Sequence, residues 1–349
     1  MFFGSDNTSP AHPSVLEAML AVNTGYLPSY GEDEETEAAR TRVRALFEAP
    51  DAAVHFVTTG SAANVLALSL YTRPWQTVFC SAVAHVHTDE CGAPEFYTGG
   101  AKLTLLDQSH GKFAAESLRS AIQAIVPQDP HLVQPGAVSL TNVTECGTLY
   151  APDEIAEISA ICRQNGLALH MDGARFANAV VASGASPAEM TWKSGVDVLS
   201  FGGTKNGLVG VEAVVIFDPA KAWEFELRRK RGGHLLSKGR YLAAQMNAYL
   251  TDDLWLEMAR ASQEAARKLE AGIEAHRSAR LTHPRHSNAV FVDLPRAVHR
   301  RLLDAGAVYS VAGAMDGPDD EVLTARLMCS WCTSDREIDD FVQLLRRHG

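Results

Sequence analysis

The stretch that decides the fold is HMDGARFANAV at residues 170–180, together with SFGGTKNG at residues 200–207. Each stretch begins near the end of a short apolar run that predicts a β-strand. In open α/β proteins, ligands bind beyond the carboxyl ends of the strands. The pattern therefore predicts that Asp172 and Lys205, which are 205 − 172 = 33 residues apart, lie at one ligand-binding edge of a sheet.

An acid and a lysine presented in this way are the groups that hold pyridoxal phosphate (PLP). A carboxylate at Asp172 keeps the pyridine nitrogen of this cofactor protonated, and the amine of Lys205 joins its aldehyde as a Schiff base. Taken alone, Asp172 is also typical of a helix N-cap, and Lys205 of a solvated turn. Two strands that deliver both groups favour the PLP hypothesis.

A third turn, within TTGSAANVLAL at residues 58–68, predicts a site for the phosphate of that cofactor. Free backbone N–H groups and the helix dipole favour an anion at such a strand-to-helix turn, and glycine permits close approach. We expect Gly60, Ser61 and Ala62 to bind the phosphate. Neither G-x-x-x-x-G-K-[ST] nor G-x-G-x-x-G occurs in the chain, which disfavours a nucleotide.

Composition excludes several other classes of function. The 349 residues are 46% hydrophobic, which is enough for a large core and for two domains. A formal net charge of −11 disfavours nucleic acid as the main partner, and the basic run at 228–231 is interpreted as a solvated helix end that leaves an anion-binding role open. We expect no membrane span and no basic leader with an apolar core, and therefore a cytoplasmic protein.

The cysteines and histidines do not predict a metal site. Six cysteines in a chain of this length do not form a disulfide framework, and the C-x-x-C of Cys329 and Cys332 has no second pair. His85 and His87 form an H-x-H motif that lacks a third ligand nearby. We therefore expect no metal.

Strands and helices alternate from about residue 52 to 217, which predicts a mostly parallel sheet of seven strands. A helical region, two further strands and a closing amphipathic helix follow and predict a smaller C-terminal α/β domain. The expected division is an N-terminal segment at 1–30 that contributes to the active site, a large PLP-binding domain at 31–250 and a small domain at 251–349.

Four segments in order, GSAANVLAL, AHVHTDECGAPEFYTGG, HMDGARFANAV and SFGGTKNG, carry a resemblance to a known family. The chain resembles the L-threonine aldolase group of fold-type I PLP enzymes, which is related to the β-eliminating lyases, and is similar to bacterial low-specificity threonine and phenylserine aldolases. The resemblance extends over nearly the whole chain. It implies retro-aldol cleavage of L-threonine, L-allo-threonine and related L-β-hydroxy-α-amino acids, possibly phenylserine among them, to glycine and an aldehyde.

The resemblance also implies roles for further residues. His85 lies flat on the cofactor ring and offers a nitrogen to the substrate hydroxyl, with His131 as a second histidine on the hydroxyl side. Arg175 lies near the phenolic oxygen of the cofactor or the substrate carboxylate. Arg326 binds that carboxylate with Ser5 beside it.

Other implied residues act between subunits. Tyr30 matches an aromatic residue that crosses a dimer interface, and either Arg231 or Lys238 matches a cation that reaches the neighbouring phosphate. The resemblance thus implies a homo-oligomer, a dimer or a dimer of dimers (homotetramer), with shared sites. Two alternatives stay open: a β-eliminating lyase or aminotransferase that uses the same cofactor, and a scaffold that retains the fold without the reaction.

Overall fold

The structure is a computed structural model that describes residues 1–348. Strands and helices are numbered separately in chain order. The strands are β1 Ala53–Val57, β2 Gln76–Ser81, β3 Lys102–Leu106, β4 Gln108–Ser109, β5 Lys112–Phe113, β6 Gln134–Thr141, β7 Ala168–Gly173, β8 Val198–Gly202, β9 Glu212–Ile216, β10 Arg280–Leu281, β11 Ala289–Pro295, β12 Ser310–Val311 and β13 Val322–Met328. The helices are α1 Pro13–Ala21, α2 Glu34–Leu46, α3 Gly60–Tyr71, α4 His85–Thr88, α5 Ala93–Thr98, α6 Ala115–Gln123, α7 Pro152–Gln164, α8 Phe176–Ser183, α9 Ala222–Arg231, α10 Arg240–Tyr249, α11 Leu254–Glu274, α12 Arg296–Asp304 and α13 Asp335–His348.

The main sheet confirms the predicted mostly parallel arrangement of seven strands. Its order is β1-β9-β8-β7-β6-β2-β3, and β9 runs antiparallel to both of its neighbours. Strands β7 and β8 are adjacent and parallel, and Asp172 pairs with Ser200 in their register. The carboxyl ends of these two strands therefore carry the acid and the lysine turn to the same edge.

The strands of the main sheet are rich in apolar residues, as expected for a sheet covered by helices on both faces. Every residue of β1, β8 and β9 is buried. The main core extends beyond the sheet into α10 and the start of α11, through Met246, Tyr249 and Trp255. Helix α11 then continues into a second core, so that it joins the two.

The second core supports the expected small C-terminal domain and includes the first residues of the chain. Its sheet has the order β10-β11-β13-β12 and is antiparallel. Phe3 packs in this core with Leu269 and Phe341, and the Met328 N–H donates to the Phe3 carbonyl at 2.8 Å. The N-terminal segment is thus tied to the C-terminal sheet, and the division of the chain at residues 30 and 250 stays a proposal.

Two N-terminal helices have no counterpart among the sequence predictions. Helix α1 begins at Pro13 and is capped by the His12 side chain. Helix α2 begins after Asp33, whose carboxylate accepts from the Thr36 N–H at 2.9 Å. Helix α2 is strongly charged and buries only Thr36, Ala39 and Val43, so its apolar stripe is too narrow to stand out in the sequence.

We expect replacement of Phe201 by alanine to destabilise the fold. Phe201 is fully buried on β8 and packs against the rings of Phe47 and Trp255, with centroids 5.5 and 5.8 Å away. Removal of such a ring leaves a cavity and costs about 3–5 kcal/mol. Urea unfolding of cofactor-free protein measures this loss. Val126→Ala, at a position 55% exposed, is the control and changes the free energy of unfolding by about 0.5 kcal/mol or less; equal effects would contradict the core assignment.

Candidate active site

A cavity of about 250 Å³ lies at the carboxyl ends of β7 and β8. Three parts of the chain that the sequence analysis selected meet there: the turn before α3, the end of β7 and the lysine turn after β8. The cavity is lined by Asn7, Thr58, Thr59, Gly60, Ser61, Asn64, His85, Asp172, Ala174, Thr204, Lys205 and Glu212.

Lys205 lies in a short turn that requires glycine before it. A Cβ at Gly202 would lie 2.6 Å from the Ala174 carbonyl oxygen, because the chain after β7 crosses at that point. The Nζ atom of Lys205 makes no hydrogen bond or ion pair with any residue in the described part of the chain. Burial, and then the positive charge of Arg175, lowers the pKa of this amine, which favours its nucleophilic neutral form.

Asp172 belongs to a buried network that also contains a second carboxylate. Its Oδ2 accepts from the Asn64 side-chain amide at 2.9 Å, and its Oδ1 accepts from the Ala174 N–H at 2.9 Å. The same Asn64 nitrogen donates to Glu90 Oε1 at 3.0 Å. The bond to Ala174 resembles a local cap, but the bond to Asn64 fixes the carboxylate inside the cavity, and a fixed buried anion suits a cationic ring nitrogen.

His85 is held between two glutamates. Its Nδ1 lies 2.9 Å from Glu90 Oε1, and its backbone N–H donates to Glu145 Oε1 at 2.8 Å. The hydrogen bond to Glu90 raises the pKa of the imidazole. With Glu90 on Nδ1, the other ring nitrogen makes no hydrogen bond within the described residues and is left for a ligand in the cavity.

Arg175 is engaged by Asp6. The guanidinium donates from Nε and Nη2 to the two Asp6 oxygens at 2.7 and 2.8 Å, and Asn288 donates to Asp6 at 3.0 Å. Burial opposes ionisation of Asp6, but Arg175 holds its pKa below the usual range. Because the guanidinium of Arg175 already binds the Asp6 carboxylate in a bidentate pair, its expected role on the substrate carboxylate is disfavoured. A role near the cofactor is still open to it.

Arg326, unlike Arg175, is not paired with a carboxylate in the described part of the chain. It lies on β13, pairs in register with Phe291, and its Nε is buried without a hydrogen-bond partner. Burial and the nearby charge of Arg175 lower its pKa. Ser5 lies one residue before Asp6 and caps the first turn of the chain by accepting from the Asn7 N–H at 3.2 Å. A buried N–H donor without a partner is costly, so an anion bound at Nε would be favourable.

The turn before α3 offers a cradle for an anion. A Cβ at Gly60 would have no atom within 4 Å, so the turn is open at that point, and the Thr204 Oγ1 on the opposite wall is buried without a partner. The Ala62 N–H donates to Thr59 Oγ1 in the helix cap at 3.1 Å, which disfavours its expected contribution to phosphate binding, and that contribution stays a prediction. The open turn at Gly60, the carboxylate of Asp172 and the amine of Lys205 together fit a PLP molecule.

The expected role of His131 is wrong. The residue is exposed in the loop before β6, where its N–H donates to Asp129 at 2.9 Å. The residue of β6 that pairs with Asp172 is Thr141, at the other end of the strand. At about 3.3 Å per residue the two ends of β6 lie more than 20 Å apart, so His131 cannot reach the cavity.

Tyr30 and Lys238 lie outside the cavity on an exposed surface. The Tyr30 N–H donates to the Ser237 carbonyl at 2.9 Å, and the Lys230 ammonium lies 4.5 Å from the Tyr30 ring centroid. Arg231 is exposed and lines a different cavity of about 730 Å³, beside Tyr97. None of the three touches the site within one chain, so a role for them requires a second subunit.

Several residues at the site were missed by the sequence analysis. Asn64 had a signal, since it is the polar residue within the apolar stretch at residues 62–68, but Glu90 and Asp6 are recognisable only from their contacts. Glu145 and Glu212 are two further buried carboxylates near the cavity. No group of three or more possible ligands in residues 1–348 is arranged to hold a metal ion. No helix in the same residues combines the length and apolar character needed to cross a membrane.

Comparison with known proteins agrees with this geometry. Residues 3–297 match the family model described as beta-eliminating lyase. The chain is 42% identical to the low specificity L-threonine aldolase of Pseudomonas aeruginosa and 40% identical to that of a Pseudomonas species, in both cases over 99% of this chain and 96% of the relative.

Solved structures give the same result. A threonine aldolase of Leishmania major superposes with a TM-score of 0.92 at 32% identity and covers 99% of this chain and 98% of its own. A serine palmitoyltransferase of Sphingomonas wittichii, at 17% identity and a TM-score of 0.75 over 100% of this chain and 87% of its own, shares the fold. The chain therefore belongs to the beta-eliminating lyase family and, within it, to the L-threonine aldolases.

Proposed function

We propose that this protein binds PLP at Lys205 and cleaves L-threonine and related L-β-hydroxy-α-amino acids to glycine and an aldehyde. The observation that carries the proposal is the free, buried amine of Lys205 in one cavity with the fixed carboxylate of Asp172. The relatives that match over nearly the whole chain are named low specificity L-threonine aldolases, which supports the choice of reaction.

Different residues of the cavity would bind different parts of the cofactor. Gly60, Ser61 and Thr204 would hold its phosphate, Lys205 its aldehyde carbon and Asp172 a proton on its ring nitrogen. Bound PLP supplies an electron sink for the electron pair of the bond that breaks at the amino-acid Cα. Arg175, held by Asp6, completes the site as a fixed positive charge.

Arg326 and His85 would act on the substrate. Arg326 binds the carboxylate with its free Nε and fixes the direction of Cα, with Ser5 nearby. The free nitrogen of His85 accepts the proton of the β-hydroxyl as the Cα–Cβ bond cleaves, either directly or through a water. Glu90 holds the imidazole in the tautomer that leaves this nitrogen as the acceptor. The hydroxyl carbon departs as an aldehyde, and Cα is reprotonated to give glycine.

We also propose an oligomeric state and a cellular location for the protein. Tyr30 lies beside the segment that contains Lys238, because its N–H donates to the Ser237 carbonyl, and Arg240 donates to the Thr24 carbonyl. Leu20, Tyr26 and Leu27 of the same N-terminal stretch are exposed, so we propose that a second copy of the chain covers this region and shares its site residues. A pair of such dimers would make the homotetramer, and the protein would act in the cytoplasm. Light scattering that finds an active monomer would contradict the shared site.

Lys205→Ala is expected to be colourless after incubation with PLP and to lose about 10³-fold or more of kcat for L-threonine, because the covalent attachment and its proton transfers are gone. Acetaldehyde and glycine are measured together, and Lys193→Ala on the surface is the control. A wild-type protein that releases pyruvate or another keto acid instead of glycine and aldehyde would favour the eliminating-lyase or aminotransferase alternative. A colourless wild type would favour the scaffold.

Arg326→Lys is expected to raise KM for L-threonine by roughly 10- to 100-fold, because lysine cannot form the bidentate pair and leaves part of the carboxylate unpaired. The absorbance of bound PLP should stay unchanged. Arg267→Lys, which alters only an exposed bidentate pair with Glu264, is the control for steady-state kinetics. An unchanged KM in Arg326→Lys would remove Arg326 from the substrate site.

Glu90→Gln is expected to lower the pKa of His85, because it replaces the charged hydrogen-bond acceptor that raises this pKa with a neutral amide. His85 must be neutral to accept a proton, so activity rises as pH rises through this pKa. The variant should therefore shift the acid limb of the kcat/KM profile to lower pH and reduce its plateau by roughly 10-fold or more. Glu116→Gln, on the surface, leaves the profile in place. An acid limb that does not move would contradict the role of Glu90.

A further inference from the structure

Glu212 is a buried carboxylate in the wall of the proposed phosphate cradle. It lines the same cavity as Thr59, Gly60, Ser61 and Lys205. In the register of the sheet it stands between Val57, which leads into the cradle turn, and Gly202, which leads into the lysine turn. Its side chain therefore lies between the two turns that would hold the phosphate and the aldehyde.

A carboxylate in this position conflicts with a phosphate. Glu212 is only 5% exposed, and its Oε2 accepts from the Gly203 N–H at 2.7 Å. Two anions close together in one cavity repel each other, so the ionised form of one is disfavoured when the other binds. The reaction proposed above gives Glu212 no role.

Few charges near Glu212 can offset this conflict. Lys205, from the turn after β8, is the cation that acts on it, and the same ammonium is also attracted to Asp6 and Asp172. The Tyr249 hydroxyl, from α10, is the other titratable group that senses it. Strand β1 and helix α3 present Thr58, Thr59, Gly60 and Ser61 to the cavity, none of which is ionisable.

We propose that Glu212 is a positioning residue that must carry a proton when the cofactor phosphate is bound, so that PLP binding takes up a proton at this side chain. The proposal rests on the proposed PLP site. A protonated Glu212 keeps an oxygen for the Gly203 N–H and gains an O–H donor, which converts a repelling group into one that can donate to the phosphate or to the turn that holds it.

Burial raises the pKa of Glu212 to about 7 in the free protein, although the neighbouring Thr204 hydroxyl, the Gly203 hydrogen bond and the charge of Lys205 oppose the shift. Phosphate binding raises it further. A side chain whose pKa is higher in the complex than in the free protein favours binding fully at a pH below its free pKa. This contribution to PLP binding is lost as pH rises above the free pKa of Glu212. The affinity for PLP should therefore fall about tenfold per pH unit above about pH 7 through this group alone.

The test is calorimetric titration of PLP into cofactor-free protein at about pH 8, in two buffers of different ionisation enthalpy, which counts protons taken up. Wild type should take up about one proton more than Glu212→Gln, whose amide mimics the protonated acid. Wild type should also bind about tenfold more weakly than Glu212→Gln at pH 8 and equally well below pH 7. Pyridoxal, which lacks the phosphate, should give the same proton count in both proteins.

Asp197→Asn is the matched control. Asp197 is also a carboxylate with a pKa raised by burial, and it accepts from a backbone N–H, that of Leu169, at 2.7 Å, but at the opposite end of β8. It should behave as wild type. Equal proton counts with PLP in wild type and Glu212→Gln would overturn the role of Glu212 while PLP binding itself is retained. No PLP binding by wild type would overturn the proposed function as well.

Discussion

One amide group, the side chain of Asn64, donates to two buried carboxylates, and the candidate site is arranged around this contact. Asp172 accepts on one side and Glu90 on the other, at 2.9 and 3.0 Å. Two buried anions with a single neutral donor between them are unfavourable without cations. Glu90 also faces the imidazole of His85, whose pKa its hydrogen bond raises. A protonated ring nitrogen of bound PLP would offset the charge of Asp172, so the free protein is already organised for the charge that PLP would bring.

The scaffold supplies this arrangement through strand ends rather than through one continuous motif. Parallel β6, β7 and β8 bring their carboxyl ends to one edge. The buried rings of Phe47 and Trp255 pack against Phe201 on β8, the strand that leads into the lysine turn. Residues from the start of the chain close the other side, where Asp6 fixes Arg175. The site thus depends on contacts between segments up to 282 residues apart, as in the bond of Asn288 to Asp6.

The fold and the residues at the centre of the site could be predicted from the sequence, but the residues around them could not. Asp172, Lys205 and the turn at Gly60 could be predicted because each follows a recognisable apolar strand, and the seven strands were located for the same reason. Glu90 and Asp6 could not, because a carboxylate becomes part of a site only through its partner, which lies 26 residues away in one case and 169 in the other. His131 was misplaced because spacing ahead of a strand locates a residue at the amino end, and the site lies at the carboxyl end.

The central claim is that the free amine of Lys205 and the anion of Asp172 hold one PLP molecule between them. Borohydride reduction of the PLP-loaded protein, followed by digestion and peptide mass spectrometry, tests this claim most directly because it records which nitrogen carries the cofactor. The account predicts a single reduced label on Lys205, lost in Lys205→Ala. A label on another lysine, or a reduced protein without any label, would contradict it.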